Sequence, residues 1–244
     1  MDRQSRDLIL SHVESAENVT LSWARDRPRN WGIHLLVAGT KQLLASVNTR
    51  WKEIGRKRID RHKGDLIVIC GGGWWEGADG VTRALSMAER QFSRVLVMPC
   101  TLDPAHEPIW DAIRRSRATI LARDCRTAES FDLPLAQDAA FAYDYRPWLR
   151  DGEGTLLAYR GDREASGGAV PDGAEDISET APSMRAWLER IAGSEEVHTD
   201  RTHVMIAAAL MGKRVRYRDS AYWKNTAVAE TWLSGYQVTR MDAT

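Results

Sequence analysis

Two residues apart, Arg201 and His203 form the pair best suited to chemistry, in the run Thr199-Asp200-Arg201-Thr202-His203. An imidazole titrates close to neutrality, so His203 can give or take a proton. A guanidinium holds a carboxylate or phosphate through two parallel hydrogen bonds, which suits Arg201 to clamping an anion. Apolar spacing predicts a helix after these residues, with Thr199 or Asp200 as its side-chain cap. Arg201 and His203 then fall in the first turn, beside unpaired N–H groups and the positive end of the helix dipole. Gly212 is expected to end that helix with a positive φ, and Lys213 to Tyr217 to resume as a strand. The chemistry indicated is capture of a small anion with movement of a proton.

Other residues extend this set. Arg160 follows a predicted strand, Thr155 to Tyr159, and opens a segment to Glu179 rich in Gly, Asp, Glu and Ser that reads as a long loop. Lys224 stands beside Tyr222 and Trp223 at the start of the last helix. Gly71-Gly72-Gly73 follows the apolar run Asp65 to Cys70 and leads into Trp74 and Trp75. Glycines there allow close approach to the backbone and leave N–H groups for an anion or hydroxyl, while indoles suit sugar stacking. The same residues also fit a bland reading: a packing histidine, surface cations and a structural turn. His34, His62 and His106 are scattered, His198 is expected to pack within its strand, and Cys70, Cys100 and Cys125 lack metal-ligand spacing. Neither a metal nor a cofactor is expected. Serine-hydrolase, Walker and dinucleotide motifs are absent.

These side chains need a scaffold that brings loops to one edge. Alternating strand and helix patterns supply it: Asp65–Cys70, Val81–Phe92, Arg94–Met98 closed by Pro99, Glu107–Ser116 and Ala118–Ala122. Continuous apolar runs between amphipathic helices predict parallel βαβ units in an α/β fold. A shift in composition at Arg146 to Gly154 divides the 244 residues into 1–150 and 151–244, with the last helix free to pack back on the first half. The balance of 34 basic and 34 acidic residues argues against nucleic acid as a partner. The basic run Gly55 to Lys63 reads as a solvated face. No apolar run approaches the length of a membrane span, and three cysteines fit a reducing cytoplasm.

In order and spacing these motifs resemble the polysaccharide pyruvyl transferase family. The resemblance rests on Ile67-Val68-Ile69-Cys70-Gly71-Gly72-Gly73, Val95 to Pro99, Ala122-Arg123-Asp124 through Ser130, Thr199 to His203, and Tyr222-Trp223-Lys224. It spans about Asn30 to Trp232. It implies a GT-B-like fold, with two Rossmann-like halves whose parallel sheets face a central cleft. It also implies transfer of pyruvate from phosphoenolpyruvate to two sugar hydroxyls as a ketal. His203 and Arg201 would then be catalytic. Arg160, Lys224, Thr202, Asn30, the Gly71–Gly73 turn and Trp74 would bind substrates, the glycine turn serving a sugar or lipid-linked oligosaccharide acceptor. Peripheral membrane association and a homo-oligomer are both compatible. One departure stands out: members often carry Asn-x-Gly-Asp, whereas Asn30-Trp31-Gly32 is followed by Ile33. A nucleotide-sugar glycosyltransferase of GT-B type and a non-catalytic carbohydrate-binding relative are the alternatives.

Overall fold

The computed structural model describes residues 1–24, 30–74, 79–165 and 168–241. The chain divides into two compact units: Met1–Arg27 with Leu36–Ala142, and Pro28–Leu35 with Tyr143–Thr244.

The first unit contains α1 (Arg3–Glu14), β1 (Val19–Trp23), most of α2 (Trp31–Ala45), β2 (Trp51–Gly55), β3 (Gly64–Ile69), β4 (Gly72–Trp74), α3 (Asp79–Gln91), β5 (Phe92–Leu102), α4 (Glu107–Arg115), β6 (Thr119–Ala122) and α5 (Cys125–Phe131). Its sheet runs β2-β1-β3-β5-β4 with β6 also on β5, and every pairing is parallel. Parallel strands are covered on both faces, so β3 and β5 read as apolar runs, and Ile67, Ile69, Val97 and Leu102 are buried among Leu85, Phe92 and Ile120. Each such side chain contributes about 1.5–3 kcal/mol when fully buried.

β5 does not close at Pro99, as its sequence suggests, but continues to Leu102. Proline is tolerated because it falls where the ladders break. β3 pairs with β5 as far as Val97, β4 takes over at Cys100, and the β6 register shifts over the same interval. A residue without an N–H costs no ladder bond there.

The second unit contains β7 (Thr155–Ala158), α6 (Ile177–Thr180), α7 (Met184–Ala192), β8 (Glu196–Thr199), α8 (Thr202–Leu210), β9 (Arg214–Tyr217), α9 (Lys224–Trp232) and β10 (Val238–Arg240). These strands form a parallel sheet in the order β10-β9-β8-β7. Ser183 caps α7 by accepting the Ala186 N–H at 3.1 Å. α8 is apolar all round, and Val204 to Ala209 are buried, as a helix enclosed by neighbours must be. Gly212 follows it with φ of 76°, the left-handed conformation expected from sequence. The molecule is thus an α/β protein with Rossmann-like parallel sheets.

Candidate functional site

The carboxyl ends of parallel strands are where open α/β sheets present functional loops. In the second unit, β7 delivers Arg160, β8 delivers Asp200, Arg201 and His203, and the segment after β9 delivers Arg218 and Lys224. Backbone and side-chain bonds lock these three ends together. The Arg160 N–H donates to Asp200 Oδ1 at 2.8 Å, joining β7 to β8. Asn225, wholly buried in α9, donates from Nδ2 to the Asp200 carbonyl at 2.7 Å and to the Arg218 carbonyl at 2.9 Å. Its Oδ1 accepts the Thr202 hydroxyl at 2.5 Å.

The expected cap of α8 is corrected by this geometry. Arg201 itself is the N-cap residue and no side chain caps the helix. Thr199 Oγ1 accepts the Arg201 N–H at 2.9 Å while donating to the Ala158 carbonyl, and Asp200 is turned back towards β7. Asp200 is fully buried, and burial raises its pKa despite the Arg160 N–H bond and the charges of Arg218, Arg160 and Arg201.

Arg160 and Arg201 are each about 6% exposed at the side chain. Arg160 grips Asp162 side-on, Nε to Oδ1 at 2.9 Å and Nη2 to Oδ2 at 3.0 Å, and also pairs with Glu164. Arg201 grips Asp176 in the same way, with Nε to Oδ1 at 2.9 Å, and its Nη2 lies 3.3 Å from Asp162 and 3.5 Å from Glu179. Lys224, also buried, pairs with Glu164, its Nζ 5.1 Å from the Tyr222 ring centre. Burial pushes the Asp162 pKa up, but the Arg160 hydrogen bond and the charges of Arg160, Arg201 and Lys224 together hold it below the usual value. Arg218 lies over the Tyr159 ring at 4.5 Å and donates to the Ala169 carbonyl at 2.7 Å.

His203 is half-buried in the first turn of α8, against the start of α2. A Cβ on Gly32 would stand 2.7 Å from His203 Nδ1, so the ring occupies the space a side chain would need. Asn30 starts this turn, its carbonyl accepting the Ile33 N–H at 3.0 Å, and the Trp31 indole donates to the Ala181 carbonyl at 2.7 Å. The structure thereby gathers Arg160, Arg201 and Lys224 into one ionic cluster, and sets Thr202, His203 and Asn30 within the same unit.

The glycine turn belongs to the first unit. Gly71 lies against β5, where a Cβ would come within 2.1 Å of the Pro99 carbonyl oxygen, so its close approach is to the chain itself. Gly72, with φ of 135°, and Gly73 continue as β4 rather than an open turn. Trp74 ends β4, and Trp75 lies outside the described residues. The Ala122-Arg123-Asp124 motif proves to be internal bracing. Buried Arg123 donates to Asp138 at 2.7 Å and to the Thr101 hydroxyl at 2.8 Å, and Asp124 caps α5 through the Thr127 N–H at 2.8 Å. Among the described residues no group of His, Cys, Asp and Glu could hold a metal ion, and no helix is long and apolar enough to cross a membrane.

The sequence reading missed the acids that meet the cations, and Asn225. Asp162 and Glu164 follow Arg160 at spacings of two and four, a visible cue, whereas Asp176 and Asn225 meet their partners only through the fold.

Fold and cluster together define a Rossmann-like α/β protein with buried arginines at a sheet edge. Residues 17–220 match the family model for polysaccharide pyruvyl transferase, and the chain belongs to that family. The crystal structure of a functionally uncharacterized protein from Klebsiella pneumoniae subsp. pneumoniae NTUH-K2044 has the same fold, with a TM-score of 0.73 and 20% identity over 100% of both chains. No curated protein matches the chain.

Proposed function

We propose that this protein transfers a pyruvyl group from phosphoenolpyruvate to two hydroxyls of a sugar, in the synthesis of exopolysaccharide or cell-surface glycan. The observation that carries the reading is the pair of nearly buried guanidinium forks, Arg160 and Arg201, with His203 two residues after Arg201 in the first turn of α8. Phosphoenolpyruvate presents a carboxylate and a phosphate, and two forks match two anionic groups. Family membership supports the same donor and a sugar acceptor.

In the proposed reaction a proton from His203 adds to the methylene carbon, which becomes a methyl group, while the first sugar hydroxyl bonds to C2 and gives up its proton. The second hydroxyl then bonds to C2 as the C2–O bond to phosphate breaks, its proton leaving on the phosphate and the first hydroxyl's proton restoring His203. One donor and one diol thus give one ketal and one phosphate. Arg201 stabilises the departing charge, and Arg160, Lys224, Thr202 and Asn30 position the donor. A GT-B-like division of labour goes with this reading: the first unit, with Gly71, Gly72, Gly73 and Trp74, serves the acceptor. A cytoplasmic location would give access to the donor.

Isothermal titration with phosphoenolpyruvate tests it. Wild type is expected to bind, and Arg201→Ala to bind at least about tenfold more weakly, the value of one lost charge-assisted contact. Equal binding would sink the proposal. Ile33 at the position of the family's acid favours one second reading, a carbohydrate-binding relative without turnover. It would show sugar binding with no phosphate release across a panel of oligosaccharide acceptors.

A further inference from the structure

The clamps that would hold the donor are already filled. Among the described residues, Arg160, Arg201 and Lys224 meet the carboxylates of Asp162, Glu164, Asp176 and Glu179. All four acids come from the segment between the end of β7 and the end of α6. Both arginines are gripped side-on by both oxygens of a carboxylate, the geometry an anionic ligand would adopt. Two of the acids also lie on the solvent side. Asp162 is 30% exposed and Glu179 48%, against 6% for the guanidiniums, while Asp176 at 10% and Glu164 at 14% lie nearly as deep as the cations they meet.

We infer that Asp162, Glu164, Asp176 and Glu179 are an internal competitor for the anion site, which an incoming ligand must displace. The inference rests on the reading that Arg160 and Arg201 hold an anionic donor. Three cations facing four carboxylates, with Arg218 set 3.6 Å from Asp200 alongside, leave no spare positive charge, so an anion added without exchange would meet net repulsion in a site largely shielded from water. A ligand with one anionic group can replace one carboxylate at most. A ligand with two can replace both side-on grips together, Asp162 on Arg160 and Asp176 on Arg201. The acids therefore act as specificity-determining residues, setting a threshold that disfavours ligands with a single anionic group and admits those with two.

Inorganic phosphate is the probe, titrated calorimetrically into the full chain, because it reports the clamp whatever the true donor. Asp176→Asn and Asp162→Asn keep an oxygen for the neighbouring donors but remove the competing charge. Each is expected to bind phosphate at least tenfold more tightly than wild type. Unchanged or weaker binding in variants with wild-type circular dichroism would overturn the inference. Glu179→Gln, the most exposed substitution, covers the case in which the aspartate variants fail to fold; it should tighten phosphate severalfold, and unchanged affinity there also overturns it. A parallel titration with phosphoenolpyruvate separates the two readings. Tighter phosphate binding with no phosphoenolpyruvate binding in any variant leaves the competitor standing and removes the pyruvyl donor.

Discussion

Gly32 leaves open the space in which the His203 ring lies. A methyl group there would stand 2.7 Å from Nδ1 and 3.1 Å from His203 Cβ, so the imidazole must shift. Overpacking of this kind costs about 1–3 kcal/mol. Gly32→Ala is expected to lower kcat about tenfold or more while leaving phosphoenolpyruvate affinity within about threefold, because the atoms nearest a Cβ there belong to His203. An equal fall in affinity would show that Gly32 serves binding rather than proton transfer. His203 and Arg201 were legible as candidates because their types and spacing are chemical facts. Their partners were not, since Asp176 lies 25 residues from Arg201 along the chain.

Elements show the same division between local and distant information. The strands β3, β5 and β8 and the helices α3, α7 and α8 follow from apolar periodicity, and the φ at Gly212 follows from its place after a helix. β4 was hidden, because Gly72 and Gly73 read as a turn until β5 supplies a partner at Cys100 to Leu102. α1 leaves a weak mark in the sequence, because its buried Ile9, Leu10 and Val13 are spaced among charges. Arg123 binds elements together: its side chain reaches Thr101 in β5 and Asp138, while adjacent Asp124 caps α5. Arg123→Met is expected to destabilise the protein by about 3–5 kcal/mol, read from the urea midpoint, because Asp138 is left charged and buried. Adding Asp138→Leu should recover part of that loss. A fall no larger than that of a surface arginine substitution would refute this role.

At the scale of the whole molecule, the acidic segment of the second unit makes stability depend on pH. Glu175 is held at about 2 against an ordinary 4.5, first by its bond from Arg190, then by that from Thr180. A depressed carboxyl pKa adds stability above the ordinary value and loses it as pH falls through the folded-state value. Melting temperature should therefore drop between pH 4.5 and about 2. Asp162, also lowered, adds to the fall. In Glu175→Gln the melting temperature is expected to start lower at pH 6 and to fall less steeply over that window, as scanning calorimetry would show. Parallel slopes would remove Glu175 from the account. The α/β class and its parallel sheets were readable from alternation alone, but membership of Pro28–Leu35 in the second unit leaves no compositional mark.

That membership has a consequence for the order of synthesis. Trp31 and Gly32 leave the ribosome some 150 and 170 residues before Ala181 and His203, the groups they meet. The first unit can complete its core once Ala142 is out, yet the second must hold one of its pieces in waiting while the whole of that core is made. The surroundings of His203 are thus completed only when two segments made far apart in time come together, and a nascent chain cannot present them before His203 has emerged.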